Sequence, residues 1–165
     1  MKEEGTMQRK PAFVFALMLI SALFAGVMVC LAAEDVNMGT WKLNEAKSKI
    51  NPGTPKNTTV VYAAAGDSVK VTVDGVAADG KPAHTEWTGK FDGKDYPVTG
   101  DPATDMRAYK RVNDHTLALT GKKGGKVTDT IRIVVSADGK SRTVTLSATD
   151  ASGKKITSTS VYDKQ

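Results

Sequence analysis

Residues 106–112 carry the chain's most suggestive side chains. Arg107, Tyr109 and Arg111 alternate with Met106, Ala108, Lys110 and Val112. In an extended strand, alternation puts the two guanidiniums and the phenol on one face. Turned inward, that face would offer paired donors suited to a carboxylate or phosphate, with the tyrosine adding another. Turned outward, the arginines would simply be solvated, the ordinary state of charged side chains that lack a partner. Trp87 and Phe91 share an alternating face with Thr85 and Gly89. That face reads as core or cavity wall, and the small Gly89 leaves room for a ligand or a facing side chain.

Other chemistry is sparse. Beyond residue 33 there are two histidines, His84 and His115, and no cysteine. His84 falls on the polar side of its strand beside Glu86, and His115 follows an Asn113-Asp114 turn. Neither spacing makes a metal motif. There is no Gly-x-Ser-x-Gly elbow, phosphate-binding Gly-rich loop or His-Glu-x-x-His. Asp101 and Asp105 flank Pro102 in a loop; a turn accounts for them better than calcium does. Asn57-Thr58-Thr59 is formally a glycosylation sequon and reads better as the start of a Thr-Val strand. The expectation is therefore a binding or structural protein, not an enzyme, with no cofactor and no metal.

The elements that must position these residues are strands. Val69, Val71 and Val73 alternate with polar neighbours, as do Ile131, Ile133 and Val135, and Val144 and Leu146. A period of two with one apolar face marks half-buried antiparallel strands. Turn signals separate them: Gly66, Asp79-Gly80, Asp92-Gly93, Gly124-Gly125, Asp138-Gly139 and Ser152-Gly153. Strands this long, joined in order by tight hairpins, suit an up-and-down barrel better than a sandwich, and closure removes the exposed edges. The expected fold is all-β, an antiparallel barrel of about eight to ten strands. One short helix is expected over residues 45–50, capped by Asn44 and stopped at Asn51-Pro52-Gly53.

The first thirty-odd residues read differently. A basic opening with Lys2, Arg9 and Lys10 precedes an uncharged stretch from Pro11 to Ala33. That is the pattern of an export leader closing on small residues, so residues 1–33 are expected to be a signal peptide and 34–165 a single domain. The uncharged stretch is also long enough for an uncleaved anchor; lipidation at Cys30 fits poorly, because Met28 and Val29 precede it. An exported protein, periplasmic or secreted, is expected. From Ala33 onward there are 20 Lys and Arg against 16 Asp and Glu, interleaved along the chain. That mild balance lacks the concentrated basic face that nucleic-acid binding needs. Membrane contact is expected only through an uncleaved leader, and a monomer is expected.

The string Gly39-Thr40-Trp41, at the opening of the first strand, resembles the lipocalin signature. Together with Lys42-Leu43-Asn44 and the Asp-Gly hairpin meander it resembles small exported bacterial lipocalin-like proteins, in the superfamily that includes the fatty-acid-binding proteins. The resemblance implies that Gly39 and Trp41 close one end of the barrel. It also implies a carboxylate-binding Arg and Tyr set like Arg107, Tyr109 and Arg111, though on a different strand. Three features depart from the pattern: no second lipocalin motif, no two-helix lid, and no arginine near the last strand to cover Trp41, where only Lys164 lies close. The implied function is binding of a small apolar or anionic amphipathic ligand inside the barrel, walled by Trp87 and Phe91. The alternative is a solid-cored structural or interaction module of the cell envelope.

Overall fold

The computed structural model describes residues 35–52, 54–149 and 153–165. The expected leader, 1–33, lies outside the described residues. Ten strands follow one another: β1 (Gly39–Leu43), β2 (Lys56–Ala65), β3 (Ser68–Val76), β4 (Pro82–Gly89), β5 (Tyr96–Thr99), β6 (Met106–Asn113), β7 (Thr116–Lys123), β8 (Lys126–Val135), β9 (Ser141–Thr149) and β10 (Lys155–Lys164). Each pairs antiparallel with its neighbours in sequence, and β1 pairs with β10. The sheet is thus a closed up-and-down barrel with no free edge.

Closure depends on a division of labour beside β10. β1 spans only five residues, and its register with β10 runs from Trp41↔Lys164 to Leu43↔Tyr162. Beyond that point the chain makes a 3-10 turn, Glu45–Lys47, capped by the Asn44 side chain, which accepts from the Lys47 N–H. The expected helix over 45–50 is therefore shorter than the residue pattern implied. Lys49 leaves helical geometry to pair with Thr159, and the Asn51 N–H and side-chain amide bond to Ser158 Oγ and to the Thr157 carbonyl. These bonds cover the part of β10 that β1 does not reach, and backbone groups left unpaired there would be costly.

The inward face is set by the alternation. Val60 and Tyr62 on β2, Val71 and Val73 on β3, Trp87 on β4, Tyr109 on β6, Leu117 and Leu119 on β7, and Ile133 and Val135 on β8 are all buried, with Trp41 and Tyr162 completing the core. One end of the barrel holds residues 35–38, which lead into β1, the hairpin turns at 66–67, 114–115 and 136–140, and the C-terminus. We call this the closed end and the opposite end the mouth.

Residues 97–105 form the end of β5 and a loop at the mouth. Gly100 sits there with φ +79°, and a Cβ on it would stand 2.0 Å from the His84 carbonyl oxygen. Gly100→Ala combines left-handed backbone with a clash against main chain, so an expected loss of about 2 kcal/mol or more follows. Gly80→Ala, also at positive φ but with nothing within 4 Å, should cost only about 1 kcal/mol. Urea unfolding of both variants checks the difference, and equal losses would contradict it.

Candidate functional site

The register brings Arg107, Tyr109 and Arg111 to the inward face of β6, opposite Gly121, Leu119 and Leu117 of β7. The outward disposition that charged side chains favour is not adopted, because each arginine meets a carboxylate. Arg107 Nη2 donates to Asp101 Oδ2 at 2.6 Å, with both side chains largely shielded from water. Arg111 pairs with Asp35 from the segment before β1, and its guanidinium lies 5.3 Å from the Phe91 ring. Burial pushes the Asp35 carboxyl upward, but Arg111 and Asn37 outweigh it and hold that group below the usual carboxylate range.

These three residues do not surround a common void. Tyr109 is fully buried among rings: Trp87 at 4.5 Å between centroids, Phe91 at 5.7 Å and Tyr62 at 6.3 Å. Burial drives its phenol well above the ordinary value, and Tyr62 adds to the effect. Trp87 stacks on Phe91 at 6.4 Å and donates its indole N–H to the Arg107 carbonyl. The space that Gly89 leaves is taken by a neighbour, since a Cβ there would lie 2.6 Å from both Trp87 and Tyr96. Trp87, Phe91, Tyr96, Tyr109 and Tyr62 thus form a packed aromatic block.

Gly39 and Trp41 lie at the closed end. Trp41 is fully buried and donates its indole N–H to the Asn37 carbonyl at 3.0 Å. Lys164 Nζ stands 5.4 Å from its ring. A second cation covers it that motif position does not reveal: Arg142, on β9, with its guanidinium carbon 4.7 Å from Trp41, 4.9 Å from Tyr162 and 5.0 Å from Tyr62. Cross-strand pairing delivers it, through Arg142↔Tyr162 and Leu43↔Tyr162. Arg142 is 3% exposed, its Nε has no hydrogen-bond partner, and no carboxylate pairs with it among the described residues. Tyr162 beside it donates to the Asn57 carbonyl, and burial pushes its phenol up to about 12.

Beyond Arg142 the wall changes character. Inward residues of β8 and β9 pass from buried at the closed end to half-buried towards the mouth, Val135 and Ile133 to Ile131 and Asp129, and Arg142 to Val144, Leu146 and Ala148; on β10 Tyr162 and Ser158 are buried and Ser160 and Ile156 half-buried. Leu146, Ala148 and Ile156 stand apart from the packed core. At the mouth an open cleft of about 340 Å³ is lined by residues 127–130 of β8, 147–149 of β9 and 155–157 of β10, from both the inward and the outward faces of these strands. The barrel therefore has an aromatic-filled side and an apolar side that is less buried towards the mouth.

The remaining candidates lie elsewhere. His84 is on the outer face, its Nδ1 2.6 Å from Asp74 Oδ1 and its Nε2 3.7 Å from Glu86. The hydrogen bond to Asp74 raises its pKa above the ordinary 6.5. A group raised on folding contributes stability that is fully present below the unfolded value and lost as pH rises through the folded one. NMR titration of the imidazole should give a midpoint above 6.5 that falls in Asp74→Asn; an unchanged midpoint would contradict the assignment. Asp101 is committed to Arg107 and to the Ala103 N–H, and among the described residues no cluster of three or more metal-ligating side chains forms.

Comparison with protein-family models and with curated proteins finds no match. Among solved structures, the chain is similar to a redesigned β-barrel, mFAP1, bound to DFHBI, at 16% identity and a TM-score of 0.43, over 78% of this chain and 95% of that one. It is also similar to EF1p2_mFAP2b bound to DFHBI, at 11% identity and a TM-score of 0.47, over 79% of this chain and 94% of that one. What those barrels bind is a property of those barrels.

Proposed function

We infer that this chain is an exported binding protein that takes a small amphipathic ligand into the less buried apolar side of its barrel. The observation that carries the reading is the inner wall of β8–β10, where Ile131, Val144, Leu146, Ala148 and Ile156 face inward yet stay half-buried beside an open mouth cleft. Inward apolar surface left wet forgoes about 25 cal/mol per Å², and a ligand that covers it recovers that free energy. Export rests on the leader pattern of residues 1–33. The resemblance to lipocalin-like proteins agrees with both parts.

The packed aromatic block favours a second reading, a solid-cored module whose function lies on its outer surface. One experiment separates the two. Straight-chain acids, alcohols and amines are added to the protein while melting temperature and tryptophan emission are followed. At saturating ligand the binding reading expects a rise in melting temperature, by mass action on the folded state. No response to any compound would overturn it and select the solid-cored reading.

A further inference from the structure

We propose that Asp129 binds the ammonium group of a small primary amine in the cleft at the barrel mouth. The assignment rests on the binding reading above and adds the charge of the ligand's head and the place it occupies.

Asp129 lies on the inward face of β8, opposite Gly121 of β7 and Ala148 of β9. Aspartate is depleted in strands and rarely faces an interior without a partner. Gly121 has no positive φ, so its backbone does not call for glycine. A Cβ there would stand 2.2 Å from Asp129 Oδ1 and 2.8 Å from Cγ. The carboxylate thus takes the space that a side chain on Gly121 would need, and it is held at the inner wall. A bulge aims it. Gly121 pairs with Asp129 and Lys122 with Val127, which leaves Thr128 as an extra residue on β8. Such bulges re-aim side chains at barrel rims and beside functional sites.

The carboxylate has bonding capacity to spare. Asp35, Asp95 and Asp101 hold Arg111, Lys122 and Arg107. Asp129 accepts a hydrogen bond from Thr128 Oγ1 at Oδ1, 2.9 Å away, and forms no ion pair among the described residues. Arg107, the inward cation of the same row beyond Gly121, is already engaged by Asp101.

There is room beside it. Asp129 lines the open cleft of about 340 Å³ together with the apolar Val127, Ala148 and Ile156 and the hydroxyls of Thr130 and Ser147. At about 30 Å³ per water-sized group, that holds roughly ten non-hydrogen atoms. An ammonium is a compact multiple donor and suits one available carboxylate oxygen with hydroxyls and water around it. A guanidinium would use both oxygens in parallel, and Oδ1 is taken by Thr128. A divalent cation would need a larger oxygen set, and no cluster of three metal-ligating side chains forms among the described residues. Lys155 lines the cleft from the outward face of β10 and opposes a cation. Lys123 and Lys126 face each other at the exposed end of the β7–β8 hairpin, where salt screens their charge.

The test compares hexylamine with hexanol by NMR titration of the full chain at neutral pH. Both should shift the Val127, Ala148 and Ile156 methyls, and hexylamine alone should move the Asp129 carboxyl carbon. Hexylamine should bind roughly threefold to tenfold more tightly at low salt, and most of that preference should vanish at about 1 M salt. Asp129→Asn, which still accepts from Thr128, should bring hexylamine to the level of hexanol and leave hexanol unchanged. Lys155→Gln should strengthen hexylamine and leave hexanol unchanged. Equal binding of the two by the unaltered protein would overturn the proposal and leave the binding reading standing, and so would a preference that survives Asp129→Asn. The preference within the unaltered protein decides even if a variant fails to fold. No response to either, with a response to longer amphiphiles, would overturn the proposal alone; no response at any chain length would overturn both.

Discussion

Replacing Trp87 by alanine is expected to cost about 3–5 kcal/mol of folding stability. Against a total of about 5–15 kcal/mol for a domain of this kind, that leaves the variant near unfolding. The indole is 1% exposed and touches Tyr109, Phe91 and Tyr96. Its hydrogen bond to the Arg107 carbonyl is worth about 1 kcal/mol net, so lost ring burial dominates. Trp87→Phe keeps a ring in the block and should cost about 1–2 kcal/mol, mostly from the unmet carbonyl and the smaller volume. With a urea slope near 2 kcal/mol per M, the alanine variant's midpoint should fall by about 2 M and the phenylalanine variant's by less than half of that. Similar losses for both would show that the hydrogen bond, not the packing, holds this side of the barrel.

Trp41→Ala is expected to cost a comparable 3–5 kcal/mol, with a second component that Trp87 lacks. The ring carries Arg142 on one contact and Lys164 on another, and a desolvated cation–π contact is worth about 0.5–2 kcal/mol. Arg142→Met isolates that component. It removes an unpaired buried charge while keeping an unbranched apolar chain against three rings, so stability should stay equal or rise by about 1–4 kcal/mol. In the double variant, the Trp41–Arg142 coupling should come out at about 0.5–2 kcal/mol. If Arg142→Met instead destabilised the barrel by several kcal/mol, the guanidinium would be a structural strut.

Much of the scaffold was readable from alternation and turn chemistry. Val69, Val71 and Val73 are inward on β3, Ile131 and Ile133 are inward on β8, and the Asp-Gly turns join their strands. Such signals are local, and hairpin pairing in an up-and-down barrel is local too. The helix over 45–50 was over-read for a tertiary reason: Lys49 and Asn51 are claimed by β10, over a hundred residues away. The orientation of Arg107 and Arg111 was undecidable for a similar reason. A period of two separates the faces of β6 but does not say which is inner, and the deciding carboxylates, Asp101 and Asp35, sit in a loop and in the segment before β1. Arg142 was missed altogether. On β9 it looks like one polar residue after a turn, and only the β1–β10–β9 register lays it across Trp41.

Methyl NMR reads directly where a ligand goes. In the methyl-labelled full chain, micromolar dodecanoate is expected to shift Ile131, Val144, Leu146 and Ile156, while Val71 and Leu117, sealed in the packed core, stay in place. Shifts confined to the outward Val112 and Val134, or spread evenly over the core, would contradict a ligand on the inner wall of β8–β10.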